Sequence, residues 1–360
     1  MKIVILGAGL MGRLLACQLA RDGHTLELFD AGGPEALNSA ARAAAAMLAP
    51  LAESAVAETS VVKMGVHGLT RWPELLAHLD QPVFFQQSGT LVLWHRQDAA
   101  EAERFSRQID VTSRSLPALP SAQRLDAPGL AALEPCLGSR FTQGLYLPGE
   151  GQLDNRQLLT ALLHQLQTQG NVTLHWGSPR SLTDFAPGQS GQPDWVFDCR
   201  GLGAREQWKA LRGVRGEVIT VHAPEVTLSR PTRLIHPRYP IYIAPKQDGI
   251  FRIGATEIES DDRSAISVRS TLELLSAAYS VDSGFAEGRI VELVTQCRPT
   301  LPDNLPSIHR VGQRVLQING LYRHGYLIAP AMLDMVMELF HNAISPLAAT
   351  FELSINQMSD

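Results

Sequence analysis

The stretch Lys2–Gly12, KIVILGAGLMG, constrains the fold more than any other part of the chain. The aliphatic, partly β-branched run Lys2–Leu6 reads as a buried strand. It passes at once into Gly7-Ala8-Gly9-Leu10-Met11-Gly12, and Leu10–Arg21 repeats apolar residues at helical spacing until Asp22-Gly23 ends it. Thr25–Phe29 is a second strand, closed by Asp30. Strand, glycine loop, helix, strand and acid together make the dinucleotide fingerprint in its required context. Gly7 permits a tight turn, Gly9 lets the main chain approach a pyrophosphate, and Gly12 lets the helix pack close to the strand. The helix start offers N–H groups and a positive dipole end to phosphates. Asp30 is placed to accept from a ribose hydroxyl and would repel a 2′-phosphate. The loop and its acid are therefore read as a site for FAD or NAD rather than NADP.

The rest of the chain has to house a reaction. At ~150 residues per domain, 360 residues allow two units. Hydrophobic residues at 45% against 19% charged supply a sizeable core, which excludes a disordered or fibrous chain. A net charge of -5 without a Lys/Arg block argues against a nucleic-acid partner. Cys17, Cys136, Cys199 and Cys297 are far apart and form no CxxC pair, so zinc ribbons and thioredoxin chemistry are disfavoured. Free thiols fit reducing cytosol, and a cytoplasmic location is expected. The N-terminal apolar run is broken by glycines, ends at Arg13 and lacks a cleavage site, so no signal peptide is expected. Ala40–Pro50 is interrupted by Arg42 and too short to span a bilayer, so no membrane partner is expected. No HExxH or clustered carboxylates point to a metal.

Further elements are legible. Leu153–Gly170 reads as a helix with Asp154 as its cap. Leu91–Trp94, Val214–Val221, Ile241–Pro245 and Ile250–Gly254 read as strands, and Leu116–Pro120 and Pro187–Pro193 as surface loops. The class is mixed, an α/β nucleotide module with a β-rich module. Val196–Ala204 is a strand running into an acidic, glycine-rich turn, and Gly320–Tyr326 is a second such return just before the apolar helix Ala331–Phe340. A simple NAD dehydrogenase usually completes its nucleotide fold in one stretch. Returns this late favour FAD, with an NAD-dependent dehydrogenase as the alternative.

The chain resembles the glycine oxidases of the thiamine-biosynthesis type, within the D-amino-acid oxidase family of flavoproteins. The matching stretches are AAAAMLAP (Ala43–Pro50), EGQLDNRQL (Glu150–Leu158), Arg215–Gly216, IYIAP (Ile241–Pro245), GATEIESDD (Gly254–Asp262), RPTLPDNLP (Arg298–Pro306) and LYRHGYLIAP (Leu321–Pro330). They run from end to end of the chain. The resemblance implies a Rossmann-like FAD-binding domain (1–82, 143–213 and 298–350) interleaved with an α+β substrate domain (83–142 and 214–297) on a mostly antiparallel sheet, and a tail, 351–360. It also implies bound FAD, a small amino-acid substrate, oxygen as acceptor, hydrogen peroxide as a product and a homo-oligomer. A D-amino-acid or N-methyl amino-acid dehydrogenase of the same fold is the near alternative.

A zwitterionic substrate needs a planar cation for its carboxylate, which Arg supplies as a bidentate fork. The resemblance points to Arg298 as that anchor, Arg323 as the arginine beside the flavin and Tyr242 as a hydroxyl partner of the carboxylate. It assigns cofactor contact to Ala45, Ala46, Met47, Gly201, His324, Gly325, Tyr326 and Leu327. Hydride transfer asks mainly for alignment, so no general base is assigned. Two departures bear on substrate choice. Many relatives carry Gly where this chain has Ala46, and some carry an apolar residue where it has Glu257. Glu257 either faces the pocket, where it would disfavour acidic substrates, or points away into an ion pair.

Overall fold

A computed structural model describes residues 1–237 and 240–358. Lys2–Leu6 is an inner strand of a seven-stranded sheet, its apolar side chains covered on both faces, the usual condition of parallel strands. It pairs in parallel with Thr25–Phe29 on one side and Trp195–Asp198 on the other. The order runs Ile355–Met358, Ser307–Val311, Val315–Asn319, Trp195–Asp198, Lys2–Leu6, Thr25–Phe29, Val172–His175. Only the Ser307–Val311/Val315–Asn319 hairpin is antiparallel. The edge strand Ile355–Met358 comes from the 351–360 tail.

The second sheet has eight strands in the order Arg289–Thr300, Arg212–His222, Ile250–Gly254, Ile241–Pro245, Thr232–Ile235, Thr90–Trp94, Gln143–Leu147, Gln123–Asp126. All its pairings are antiparallel except Thr232–Ile235 with Thr90–Trp94. A small third sheet, Met47–Leu48, Gly151–Leu153 and Phe85–Gln86, lies between segments of the chain far apart in sequence. The architecture is α/β with a mostly antiparallel second sheet, as expected.

Several expected bounds shift. Leu153 is the last residue of a strand, and the helix runs Asn155–Thr168. Asp154 caps it, its Oδ1 accepting from the N–H groups of Arg156 at 2.8 Å and Gln157 at 2.9 Å. Leu119, expected in a surface loop, is buried in an apolar cluster with Trp94 and Ile109. The C-terminal helix begins at Gly325, earlier than Ala331, and ends at Asn342. Pro330 inside it has no N–H to give the carbonyl of Tyr326 one turn before. That carbonyl instead accepts from the buried Trp72 indole N–H at 2.9 Å, so the proline leaves no orphan acceptor. Trp72 belongs to the long helix Thr59–Ala77, and Gly65 and Gly68 of that helix leave the space that Leu327 fills.

Candidate functional site

The first strand turns into its helix through Gly7, which holds φ at +91°. A Cβ there would also stand 2.7 Å from the carbonyl oxygen of Cys199. At Gly12 a Cβ would overlap the carbonyl of Gly7, so helix and strand touch where the fingerprint requires. Gly9 is different, since its added Cβ would meet only Ser39 Oγ at 3.2 Å. Space, not packing, is what Gly9 preserves. No side chain caps the helix that starts at Leu10. Asp30 closes the loop from the next strand, its Oδ2 accepting from Ala8 N at 2.6 Å and its Oδ1 from Gly32 N at 2.7 Å. Under the loop lies Arg13, only 1% exposed. It donates to the carbonyls of Ala8 (2.8 Å), Leu159 (2.7 Å) and Pro34 (2.6 Å), and so binds the loop to the neighbouring helix. Burial pulls its pKa down, while Asp30 works the other way. Sequence reading passed over Arg13, because a charged residue early in a helix looks solvent-facing.

The segment Ala44–Met47 runs along the same cavity. Ala46 adopts φ +53°, a left-handed conformation that glycine takes without strain. This explains physically why Gly suits that position. Lys246 fixes the segment from behind. It is buried, and its Nζ donates to Ala45 O (2.9 Å), Leu153 O (2.8 Å) and Gln152 Oε1 (3.0 Å). Burial lowers its pKa to about 7, against the opposing pull of Asp154.

Arg298 comes from the strand Arg289–Thr300. Its Nη1 donates to Arg215 O at 3.3 Å and its Nη2 to Thr256 O at 3.1 Å. Among the described residues no carboxylate pairs with it. The guanidinium lies directly over Gly216 on the adjacent strand, where a Cβ would stand 2.5 Å from Cζ. Tyr242 approaches from Ile241–Pro245 with its ring over Gly254, its register partner, where a Cβ would meet the hydroxyl at 2.5 Å. Burial raises the Tyr242 pKa, against the influence of Arg298. Two glycines thus make room for the two side chains expected to face a carboxylate.

Arg323 is committed otherwise. Its Nη2 donates to Glu53 Oε2 at 3.0 Å and its Nη1 to Glu257 Oε2 at 3.2 Å. Glu53 also accepts from Arg233 Nη2 at 2.7 Å and lies 3.4 Å from His324 Nδ1. Burial opposes the charge of Glu53, yet Arg233, Arg323 and His324 together hold it well below the ordinary carboxylate range. His324 is itself lowered to about 4, chiefly by burial. Glu257 also accepts from the Tyr322 hydroxyl. It therefore lines the cavity and makes an ion pair at once; the two expectations for it were not exclusive. Behind Glu53 sits Glu150, buried, with Oε1 accepting from Ala52 N at 2.6 Å and Oε2 without a partner. Burial raises its pKa to about 7. Glu53, Arg233, Glu150 and Lys246 all went unassigned in the sequence. They are single charges next to apolar runs, and only the folded chain brings them together.

One cavity of about 1230 Å³ connects these parts, from Gly7–Met11, Asp30 and Gly201 at one end to Ala45, Ala46, Met47, Tyr242, Glu257, Arg298, Arg323 and His324. Gly325, Tyr326 and Leu327 line it at the start of the C-terminal helix. Tyr326 and Leu327 do so while anchored elsewhere. The Tyr326 hydroxyl donates to Ala41 O at 3.0 Å, and Leu327 packs on Gly65 and Gly68. This second helix start also has no side-chain cap. Two uncapped helix N-termini on one long cavity, one behind a glycine cradle, fit an elongated anionic dinucleotide. Arginine and tyrosine at the far end add a place for a small anion. Such a combination defines a dinucleotide-dependent oxidoreductase.

The chain belongs to the DAO family of FAD dependent oxidoreductases, which it matches over residues 2–339, and FAD is its cofactor. It is 40% identical over 333 residues to a thiamine biosynthesis oxidoreductase ThiO of Rhizobium etli, covering 92% of this chain and 94% of the relative. It is 24% identical over 367 residues to the glycine oxidase of Geobacillus kaustophilus, covering 94% and 92%. The crystal structure of glycine oxidase from Geobacillus kaustophilus superposes with a TM-score of 0.79 at 23% identity over 98% of both chains. An iminodiacetate oxidase from Chelativorans gives 0.80 at 22% identity over 99% of both.

Proposed function

We propose that the chain oxidatively deaminates glycine and other small amino acids or amines, giving the 2-oxo acid, ammonia and hydrogen peroxide, in the service of thiamine biosynthesis. The observation that carries this is Arg298. It is a guanidinium on the cavity wall, held by two carbonyls and left without a carboxylate among the described residues. A substrate carboxylate completes it as a bidentate pair. Tyr242, on the same wall, adds a hydroxyl donor. Arg323, bound to Glu53 and Glu257, serves as part of the wall rather than as the first anchor.

The cofactor sites follow the same reading. Gly9, Leu10 and Met11 give main-chain N–H groups to the pyrophosphate, with Gly7, Ala8 and Gly12 shaping the turn and Asp30 at the ribose. Ala45, Ala46, Met47, Gly201, His324, Gly325, Tyr326 and Leu327 surround the ring system. FAD held there would supply the acceptor for a hydride from the substrate Cα. The chain's own task is to fix the carboxylate, so that one Cα–H is aimed once the ammonium has lost its proton to solvent.

In this reading 1–82, 148–211 and 301–350 form the FAD-binding unit and 83–147 with 212–300 the substrate unit, the expected bounds at 143, 213 and 298 moving because Gln143–Leu147, Arg212–His222 and Arg289–Thr300 are whole strands of the second sheet. The four cysteines are free thiols, which supports a cytoplasmic location. Exposed Ile290, Val291 and Leu293 on the outer strand of the second sheet support assembly into a homo-oligomer. The test is to mix the yellow protein anaerobically with glycine, sarcosine, D-alanine and D-phenylalanine, and then admit oxygen. Bleaching by the small substrates with peroxide on aeration is expected. Bleaching without peroxide would place the chain among the dehydrogenases, and no bleaching by any small amino acid would overturn the reading.

A further inference from the structure

Two carbonyls hold the Arg298 guanidinium, those of Arg215 and Thr256. Arg215 and Thr256 lie 41 residues apart (256 − 215) and on different segments. A single buried carboxylate joins them. Glu217 is 0% exposed. Its Oε1 accepts from Arg215 Nε at 3.1 Å and Nη2 at 2.6 Å. Its Oε2 accepts from the Thr256 hydroxyl at 3.0 Å, and that hydroxyl accepts in turn from Glu217 N at 2.9 Å. Arg215 then fastens the rest of the loop, donating to Asp262 O at 2.7 Å and Ala265 O at 3.0 Å. Its main chain exchanges hydrogen bonds with Ile258, at 2.8 and 3.0 Å.

We propose that Glu217 is a positioning residue for substrate binding, acting through Arg298 by locking together the two main-chain carbonyls that aim its guanidinium. This rests on the reading of Arg298 as the carboxylate anchor. The observations favour it over a role in stability alone. A buried ion pair is weak evidence for stability, because desolvating both charges offsets their attraction. Burial works against the Glu217 charge here, and the hydrogen bonds from Ser270, Arg215 and Thr256 are what hold its pKa below the ordinary range. The loop thus keeps, at a desolvation cost, a carboxylate whose two oxygens reach the two residues that touch Arg298. A cation whose own hydrogen bonds end on carbonyls depends on those carbonyls for its direction. Without the lock the guanidinium keeps its charge and loses its aim.

The test is a double-mutant cycle on the FAD-loaded enzyme with glycine, reading KM, kcat and the dissociation constant of acetate from the flavin spectrum. Glu217→Gln retains shape and removes the charge. It raises KM and the acetate constant about tenfold, ~1.4 kcal/mol, with kcat changed less. In an Arg298→Ala background the same substitution changes neither quantity further, because its route is already lost. Thr256→Val removes only the hydroxyl link and moves KM in the same direction, and it carries the cycle if Glu217→Gln does not fold. A lowered melting temperature with unchanged KM and acetate binding would overturn the proposal, leaving Glu217 a structural residue. An equal penalty with and without Arg298 would also overturn it, by showing a different route. If Arg298→Ala itself leaves KM and acetate binding intact, the anchor assignment falls and this proposal with it. If Arg298→Ala is impaired and Glu217→Gln is normal, only the proposal falls.

Discussion

Gly216→Ala adds one carbon under the Arg298 guanidinium. The new Cβ would stand 2.5 Å from Cζ and 2.7 Å from Nη1. Ordinary carbon contacts begin near ~3.5 Å, so the guanidinium has to lift by about 1 Å. The stability effect is a loss, because the guanidinium that moves is held by the carbonyls of Arg215 and Thr256 and hydrogen bonds of a charged group contribute about 1.5–3 kcal/mol. Replacing a mid-strand glycine recovers part of it, about 0.5–1 kcal/mol of backbone entropy. The functional effect is large. A displacement of ~1 Å at a positioning group lowers rates by on the order of 100-fold, and the lifted fork also parts from the carbonyls of Arg215 and Thr256. Gly216→Ala is therefore expected to melt at or a little below the wild-type temperature, to keep its flavin spectrum, and to lose about 100-fold in kcat/KM for glycine. Steady-state kinetics beside a thermal melt reads both. A kcat/KM within about threefold of wild type would refute the reasoning, since the guanidinium would then have a position of equal worth elsewhere.

Glycines in the dinucleotide loop divide by what their Cβ would meet. Gly12→Ala collides with the Gly7 carbonyl and destabilises by about 3 kcal/mol, whereas Gly9→Ala folds normally and loses FAD affinity; melts of the apoprotein and FAD titration would contradict this if the two variants behaved alike. Arg298→Lys keeps charge without the fork and falls between wild type and Arg298→Ala, which loses on the order of 100-fold in acetate affinity; equal binding by all three would place the anchor elsewhere. Glu150 contributes stability that is fully present below its unfolded pKa of 4.5 and lost as pH rises through about 7. Glu150→Gln, uncharged throughout, should match wild type near pH 5 and exceed it near pH 8 by up to about 3 kcal/mol. Parallel denaturation curves at both pH values would show that Glu150 does not titrate as its burial demands.

Local pattern carried the sequence reading as far as local pattern decides structure. Lys2–Leu6, Leu10–Arg21, Thr25–Phe29, Ile241–Pro245 and Ile250–Gly254 form residue for residue, because aliphatic runs and glycine or acidic breaks mark their ends. Leu153 was misplaced because Gly151–Leu153 is a strand only through its partners Met47–Leu48 and Phe85–Gln86. The C-terminal helix was begun too late because Gly325 and Pro330 oppose a helix locally, and Trp72, far away in sequence, removes the objection. The cavity shows the same division. Arg298, Tyr242, Gly7 and Gly9 lie in legible stretches, and all line it. The chain Arg233–Glu53–Arg323–Glu257 joins four separate segments by ion pairs, a relation that no spacing announces.

The order of strands in the first sheet has a consequence for how the chain is made. Lys2–Leu6 is synthesised well before one of its two neighbours, Trp195–Asp198, and before the next strand across, Val315–Asn319. The glycine cradle is thus synthesised long before the wall that closes on it, and His324 and Gly325 arrive later still. Domains generally fold as units during synthesis, but the first sheet is not whole until Ser307–Val311 and Val315–Asn319 have been made. A nascent chain stalled at residue 300 would hold the cradle without the second helix start, and should capture no flavin. Flavin capture is therefore expected only once residues 324 and 325, which line the cavity, have been made.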